Sequence, residues 1–369
     1  MLESSAVSRF GIRTKIRMSC MKRKCIYHLF YVLLLLTAPV SAFSESQKYR
    51  IAAILPLSGQ VASLGTYVRK GIELALESLP PSERESLEVV FEDDQFEPAK
   101  TIGAYRKLKA TQGIDAVLVV GSPPANALGP ITEKDRTLLV AIAASDSSIA
   151  VGKKYSFIHW VAPSTLAEKL VNEMMKRDFQ RVAFIVAEVT GTIAAADAAV
   201  AALKSRGVAD RVVYRESFII STTDYRTALT KIRQQRADAV VAVLFPGALA
   251  PFARQFREMS IPADLIGIET FEDEAEVRAS NGALVGTWYV SAADNRNEFM
   301  ESYKRTYQEH PGIAGGNGYD VVKLISSAVQ SVGPHNDHIS DFLRAVKDYS
   351  GATGVYSASG DNRFTLPAT

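Results

Sequence analysis

Short runs that are apolar throughout recur along this chain, separated by stretches with a helical period, and that alternation restricts the fold more than any other feature. The runs are residues 50–57, Leu87 to Phe91, Ala116 to Val120, Leu138 to Ala143, Val182 to Val186, Val212 to Tyr214, Ala239 to Phe245 and Leu265 to Ile268. Helical stretches lie between most of them: Tyr67 to Leu79, Ala99 to Thr111, Leu166 to Arg177, Ile193 to Ser205 and Tyr225 to Gln235. A strand with one wet face alternates polar and apolar residues. These runs do not, so both faces must be covered, which is the pattern of parallel strands under helices. The expected class is α/β, doubly wound. The series restarts near Pro163. Residues 49–145 supply four βα units, Tyr155 to Val161 reads as a connecting strand, and a second series opens at Arg181. Two similar lobes in tandem follow. With no low-complexity linker between them, they are expected to share a hinge of several crossings, as residues 43–161 with 294–349 and residues 162–293 with 350–369. The tail after Asn295 is mainly helical, and Gly315-Gly316-Asn317-Gly318 reads as a hinge-like turn into its second helix.

The first 42 residues carry a different signal. Lys22-Arg23-Lys24 precedes an apolar run from Ile26 to Leu36, and Val40-Ser41-Ala42 is small at both positions that a signal peptidase reads. This is the layout of an export signal spanning residues 1–42, with Met18 or Met21 as alternative starts. The run is interrupted by His28 and falls short of the ~20 residues needed to span a bilayer. Cys20 and Cys25 precede it, whereas a lipid-anchoring cysteine would follow it. These 42 residues hold seven of the 42 Lys+Arg and one of the 40 Asp+Glu, leaving 35 against 39 in the remainder, a net charge near −4. That balance gives no nucleic-acid footprint. Both cysteines leave with the signal, so the exported chain has no disulfide, thiol nucleophile or thiolate metal site.

Catalytic signatures are missing. The chain has no G-x-x-x-x-G-K-[ST], H-E-x-x-H, G-x-S-x-G or strand-following G-x-G-x-x-G. His335 and His338 flank Asp337 in a polar segment that reads as a solvated turn before a helix. Asp93-Asp94 ends a strand and can cap the helix near Pro98. Glu272-Asp273-Glu274-Glu276 reads as a solvated acidic loop. An exported enzyme using Asp93, Asp94 or Glu269 as acid or base would lack a paired nucleophile. Neither a cofactor nor a metal is called for.

Ligands of open α/β sheets sit beyond the carboxyl ends of the strands, where helix N-termini offer unpaired N–H groups. Six such ends here carry small or hydroxylated residues. From the first lobe come Ser58 to Gly65, Gly121 to Asn126 and Ala144 to Ser148. The second lobe supplies Glu188 to Thr192, Phe245 to Gly247 and Glu269 to Phe271. One loop alone would be an ordinary βα turn. Six, on two lobes of an exported chain, make a cleft, with Ser58, Leu64, Ser122, Pro123, Ala144, Ser145, Asp146, Thr190, Phe245 and Glu269 as candidate ligand-binding residues.

Several segments carry a resemblance over the whole length after the signal: Ile54-Leu55-Pro56-Leu57-Ser58-Gly59 with Gly65, Phe91-Glu92-Asp93-Asp94, Gly121-Ser122, Asp224-Tyr225, Ala237-Asp238-Ala239-Val240, Gly318-Tyr319-Asp320, and Thr353-Gly354-Val355-Tyr356 with Gly360-Asp361. In their order and spacing the chain resembles the type 1 periplasmic solute-binding proteins of ABC importers, in the leucine/isoleucine/valine-binding branch. The resemblance implies a monomer of two Rossmann-like lobes joined by three crossovers, which closes like a hinge on a small solute in the periplasm and delivers it to an inner-membrane permease. It implies that Ser122 to Ala125 with Ala144, Ser145 and Asp146 hold an amino acid's carboxylate, and that Glu269 takes its ammonium. Three positions depart from the pattern. Thr190 stands where an aromatic lid is usual, Pro123-Pro124 where Ser and Thr are common, and Asp146 where a threonine hydroxyl is common. A branched-chain or other amino acid is the default solute, and another small polar or amide solute is its competitor. A sensory receptor of the same fold, acting on a membrane signalling partner, is the alternative role.

Overall fold

The structure, a computed structural model, describes residues 48–293 and 295–369, so the expected export signal lies outside the described residues. The apolar runs form two parallel five-stranded sheets. The first holds β1 (Tyr49–Leu55), β2 (Leu87–Asp93), β3 (Ala116–Val120), β4 (Leu138–Ile142) and β5 (Ser156–His159) in the order 2-1-3-4-5. The second holds β6 (Val182–Ala187), β7 (Val212–Phe218), β8 (Ala239–Val243), β9 (Asp264–Gly267) and β10 (Trp288–Tyr289) in the order 7-6-8-9-10, which repeats the first. The segment from Tyr155 thus supplies a fifth strand, with Leu139 beside Ser156 and Ile142 beside His159. The two-residue β10 has no apolar run to announce it.

Burial explains the missing alternation. In β6 and β8 the side chains of Val182, Phe184, Val186, Val241 and Val243 join one core, while Ala183, Ile185, Val240 and Ala242 join another on the opposite face. Successive strand residues point to opposite faces, so a sheet covered on both sides needs apolar residues at every position. Helices Pro163–Lys176 and Thr190–Ser205 pack together over the first of these faces.

The glycine segment Gly315 to Gly318 is not a turn. It forms the first turn of helix Gly315–Val332, which lies along helix Ala62–Ser78. A Cβ on Gly318 would come within 2.5 Å of the Val68 carbonyl oxygen, and one on Gly71 within 2.0 Å of the Gly315 oxygen. The glycines are there because two helix backbones touch. The last residues contact both sheets' surroundings: Phe364 N–H donates to Ile158 O at the edge of the first sheet, and Ala293 N–H donates to Pro367 O just beyond β10.

Candidate functional site

A 2-1-3-4-5 order reverses direction between β1 and β3, and in the second sheet between β6 and β8. Crevices form at such points, outside the carboxyl ends of the strands. A narrow cavity of about 50 Å³ lies there and is lined from both sheets. Ser122, Ala143 and Ser145 come from the first. Gly191, Phe245 and Glu269 come from the second. The approach is close, since a Cβ on Gly191 would stand 2.9 Å from Ser122 Oγ and 3.8 Å from Ser145 Cβ.

The wall from the first sheet is internally satisfied. Gly121 leaves β3 with φ of +82°, and Ser122 opens helix Ser122–Asp135 with Pro123 in its first turn, where a missing N–H costs nothing. Ser122 is buried, and its Oγ accepts the N–H groups of Ser145 at 3.1 Å and Asp146 at 3.2 Å. The Asp146 carboxylate accepts from Ser148 N at 2.9 Å, Ser148 Oγ at 2.7 Å and Asn126 Nδ2 at 2.8 Å. Partial burial works to raise its pKa, but these bonds and the Arg363 charge hold it below the usual carboxylate range. The Ala144 carbonyl accepts a long 3.4 Å bond from the Arg363 guanidinium.

The opposite wall is not satisfied. Glu269 follows β9 at the start of a short 3₁₀ turn, Glu269–Glu272. The residue is partly exposed, yet its Oε2 is shut away from solvent and has no hydrogen-bond partner. Burial, reinforced by the Glu272 charge, pushes its pKa up from 4.5 to about 7. Behind it the cavity is apolar, walled by Leu166 and Leu170 of helix Pro163–Lys176, Ala195 and Ala199 of helix Thr190–Ser205, and Ile268 and Val290. Glu269 thus sets one carboxyl group in a lining that is otherwise mainly apolar.

Of the ten candidates read from sequence, Ser122, Ser145, Phe245 and Glu269 line this cavity. Ala144 and Asp146 flank Ser145 without lining it. Pro123 belongs to the adjoining helix turn, and Thr190 is exposed while its neighbour Gly191 takes the lining position. Ser58 donates its hydroxyl proton to Asp93, whose Oδ1 also accepts the N–H groups of Leu57 and Ser58. Leu64 sits in the first sheet's core. The apolar back wall has no local signal, because Leu166, Leu170, Ala195 and Ala199 look like any helix's core face. The acidic segment also differs from expectation. Asp273 and Glu276 are buried rather than solvated. Asp273 caps helix Glu274–Ala279 through the N–H groups of Ala275 and Glu276, while the Glu276 carboxylate accepts from Gly247 N and Ala250 N and holds the loop after β8.

A family model described as periplasmic binding protein matches residues 48–368. The chain belongs to the periplasmic binding protein family. Among its relatives is the Leu/Ile/Val-binding protein homolog 3 of Brucella melitensis, 23% identical over 325 residues covering 84% of this chain and 88% of the relative. The leucine-binding protein LivK of Thermotoga maritima superposes with a TM-score of 0.81 at 20% identity, covering 87% of this chain and 94% of its own. A solute-binding protein of R. palustris in complex with benzoate gives 0.78 at 19% identity, with 87% and 92% covered. These relatives are named as binding proteins rather than enzymes, and the periplasmic binding protein family works outside the inner membrane. No helix among the described residues is long and apolar enough to cross a membrane.

Proposed function

We propose that this protein is the substrate-binding component of an ABC importer. It captures a small solute bearing an ammonium group, by default a branched-chain or other amino acid, and presents it to an inner-membrane permease as a monomer. The observation that carries this reading is the Glu269 Oε2, buried without a partner in the wall of a cavity shared by the two sheets. A buried carboxylate with no counter-charge is costly, and a bound ammonium removes that cost. The moving parts are the two lobes, one built on each five-stranded sheet. Closure is driven by the solute's higher affinity for the closed arrangement than for the open one. The ammonium leads the recognition. A solute carboxylate meets Ser145 and Asp146 N–H groups already held by Ser122, beside the negative charge of Asp146.

Native mass spectrometry of gently purified protein identifies the solute carried through. Calorimetry with small-angle scattering across amino acids, amides, amines and benzoate then tests the reading. Binding and compaction by an ammonium-bearing compound are expected. If benzoate binds and no amine does, the Glu269 assignment is overturned, because a protonated Glu269 would then be donating to a carboxylate. If nothing in the panel both binds and compacts the protein, the capture reading itself is overturned.

A further inference from the structure

At the β1 and β2 end of the cleft, two residues of the first half reach across to the second. Between β2 and helix Pro98–Gln112, Gln95 and Phe96 both adopt positive φ, 53° and 63°. Adjacent carboxylates hold them there. Asp93 Oδ1 accepts Gln95 N–H at 3.0 Å, and Asp94 Oδ1 accepts Phe96 N–H at 2.9 Å while its Oδ2 takes Thr101 Oγ1 at 2.8 Å. Left-handed backbone at a bulky aromatic is unfavourable and persists only where its surroundings enforce it. Here it throws the Phe96 ring away from its own sheet. The ring lies over Gly121, where a Cβ would come within 2.5 Å of it, and packs on Phe245 with centroids 5.3 Å apart. Phe96 is 8% exposed and is buried with the second sheet's core, not the first. Beside it, Gln60 Nε2 donates to Ile220 O at 2.6 Å and Pro246 O at 3.1 Å, both in loops leaving the second sheet. The path is kept open by Gly247, whose Cβ would stand 2.7 Å from Gln60 Cγ.

We propose that Phe96 and Gln60 form a clamp that sets the lifetime of the closed, solute-bound state. Neither lines the cavity. Phe96 acts through Phe245, which does, and Gln60 acts through the Phe245-Pro246-Gly247 loop, so both are positioning residues. Thr190 supplies no aromatic ring at its place on the cleft, and the ring that bridges the halves enters from the first sheet instead. The proposal rests on the reading that the halves part and close. Because the clamp exists only when the cleft is shut, removing it should speed release and leave capture by the open form unchanged.

The test uses the protein after signal removal, with the solute identified by mass spectrometry as probe, in stopped-flow kinetics and small-angle scattering. Phe96→Ala is expected to raise the dissociation rate roughly tenfold or more, about the size of one aromatic contact with its buried area, with the association rate within about twofold. Phe96→Leu is expected to restore most of the loss by refilling the space. Gln60→Ala, at an exposed side chain where folding is not at stake, is expected to give a smaller rise of a few-fold. Both alanine variants are also expected to scatter as more open molecules than the parent without added solute. Parental dissociation rates and scattering in cooperatively melting Gln60→Ala and Phe96→Ala proteins would overturn the clamp. Should Phe96→Ala not fold, Gln60→Ala and Phe96→Leu decide the question. Should no solute bind the parent protein, the capture reading fails, and the scattering comparison alone decides the clamp.

Discussion

The two walls of the cleft are built from the same loops of the same topology, yet they meet a solute in opposite states. On the first sheet's side, Ser122 Oγ takes two backbone N–H groups, Asp146 takes three donors, and Ser58 is bound to Asp93. On the second sheet's side, Glu269 Oε2 takes none. Buried polar groups are nearly always paired, and among the unpaired side-chain atoms of the described residues the Glu269 oxygen is the one whose residue lines this cavity, so on the proposed function it is the one a solute would satisfy. The first wall is scaffold that a solute must compete with. The second is demand.

The sharpest way to break this comparison is to delete the demand. Glu269→Ala should weaken an ammonium-bearing solute by ~3–5 kcal/mol, the usual penalty for leaving one member of a buried ion pair alone. Calorimetry reads this directly, and an unchanged affinity would move the cation elsewhere.

A second measurement uses pH. Folding raises Glu269 from 4.5 to about 7, so the folded chain holds this proton more tightly than the unfolded chain does. Its contribution to stability is full below pH 4.5 and is lost as pH climbs toward 7, a decline of roughly 3 kcal/mol in the absence of solute. Urea melts should show that decline in the parent, and Glu269→Gln should flatten it. Affinity for an ammonium solute should run the other way, rising through pH 7 as the carboxylate forms.

On the satisfied wall the signature is reversed. Ser122→Ala leaves two N–H groups without their acceptor and should cost ~1–3 kcal/mol of folding stability. Its effect on the affinity of a simple amine should be much smaller, and denaturant melts beside calorimetry separate the two. A larger loss of affinity than of stability would erase the distinction between the walls.

The smallest effect is expected at Asp146. Asp146→Asn removes a partly exposed negative charge and should tighten a solute that carries a carboxylate by ~0.5–1 kcal/mol. A carboxylate-free amine should bind both forms alike in the same titration.

The double-wound class and the restart near Pro163 were legible because strands covered on both faces must be apolar at every position, and that can be read in one dimension. Edges were less legible. β10 is two residues long, and Trp288-Tyr289 has no pattern of its own. Ser122, Ser145, Phe245 and Glu269 could be nominated because the carboxyl ends of parallel strands are where such a fold places ligands. Their partners could not. Whether a hydroxyl in a βα turn meets a solute or a neighbouring loop depends on hydrogen bonds between segments such as Ser122 and Ser145, 23 residues apart.

Sequence alone therefore determined the architecture and the neighbourhood of the cleft, through hydrophobic periodicity and the small residues at strand ends. Tertiary structure decided which of those residues are spent and which are free. It turned Ser122 inward onto two backbone amides, buried Asp273 and Glu276 as supports, and recast Gly315 to Gly318 as a helix contact. It also sent Phe96 across the cleft and left one oxygen of Glu269 without a partner. The physical reason is the same in each case. Periodicity is a property of neighbours along the chain, whereas hydrogen-bond satisfaction and desolvation are set by groups brought together from distant segments.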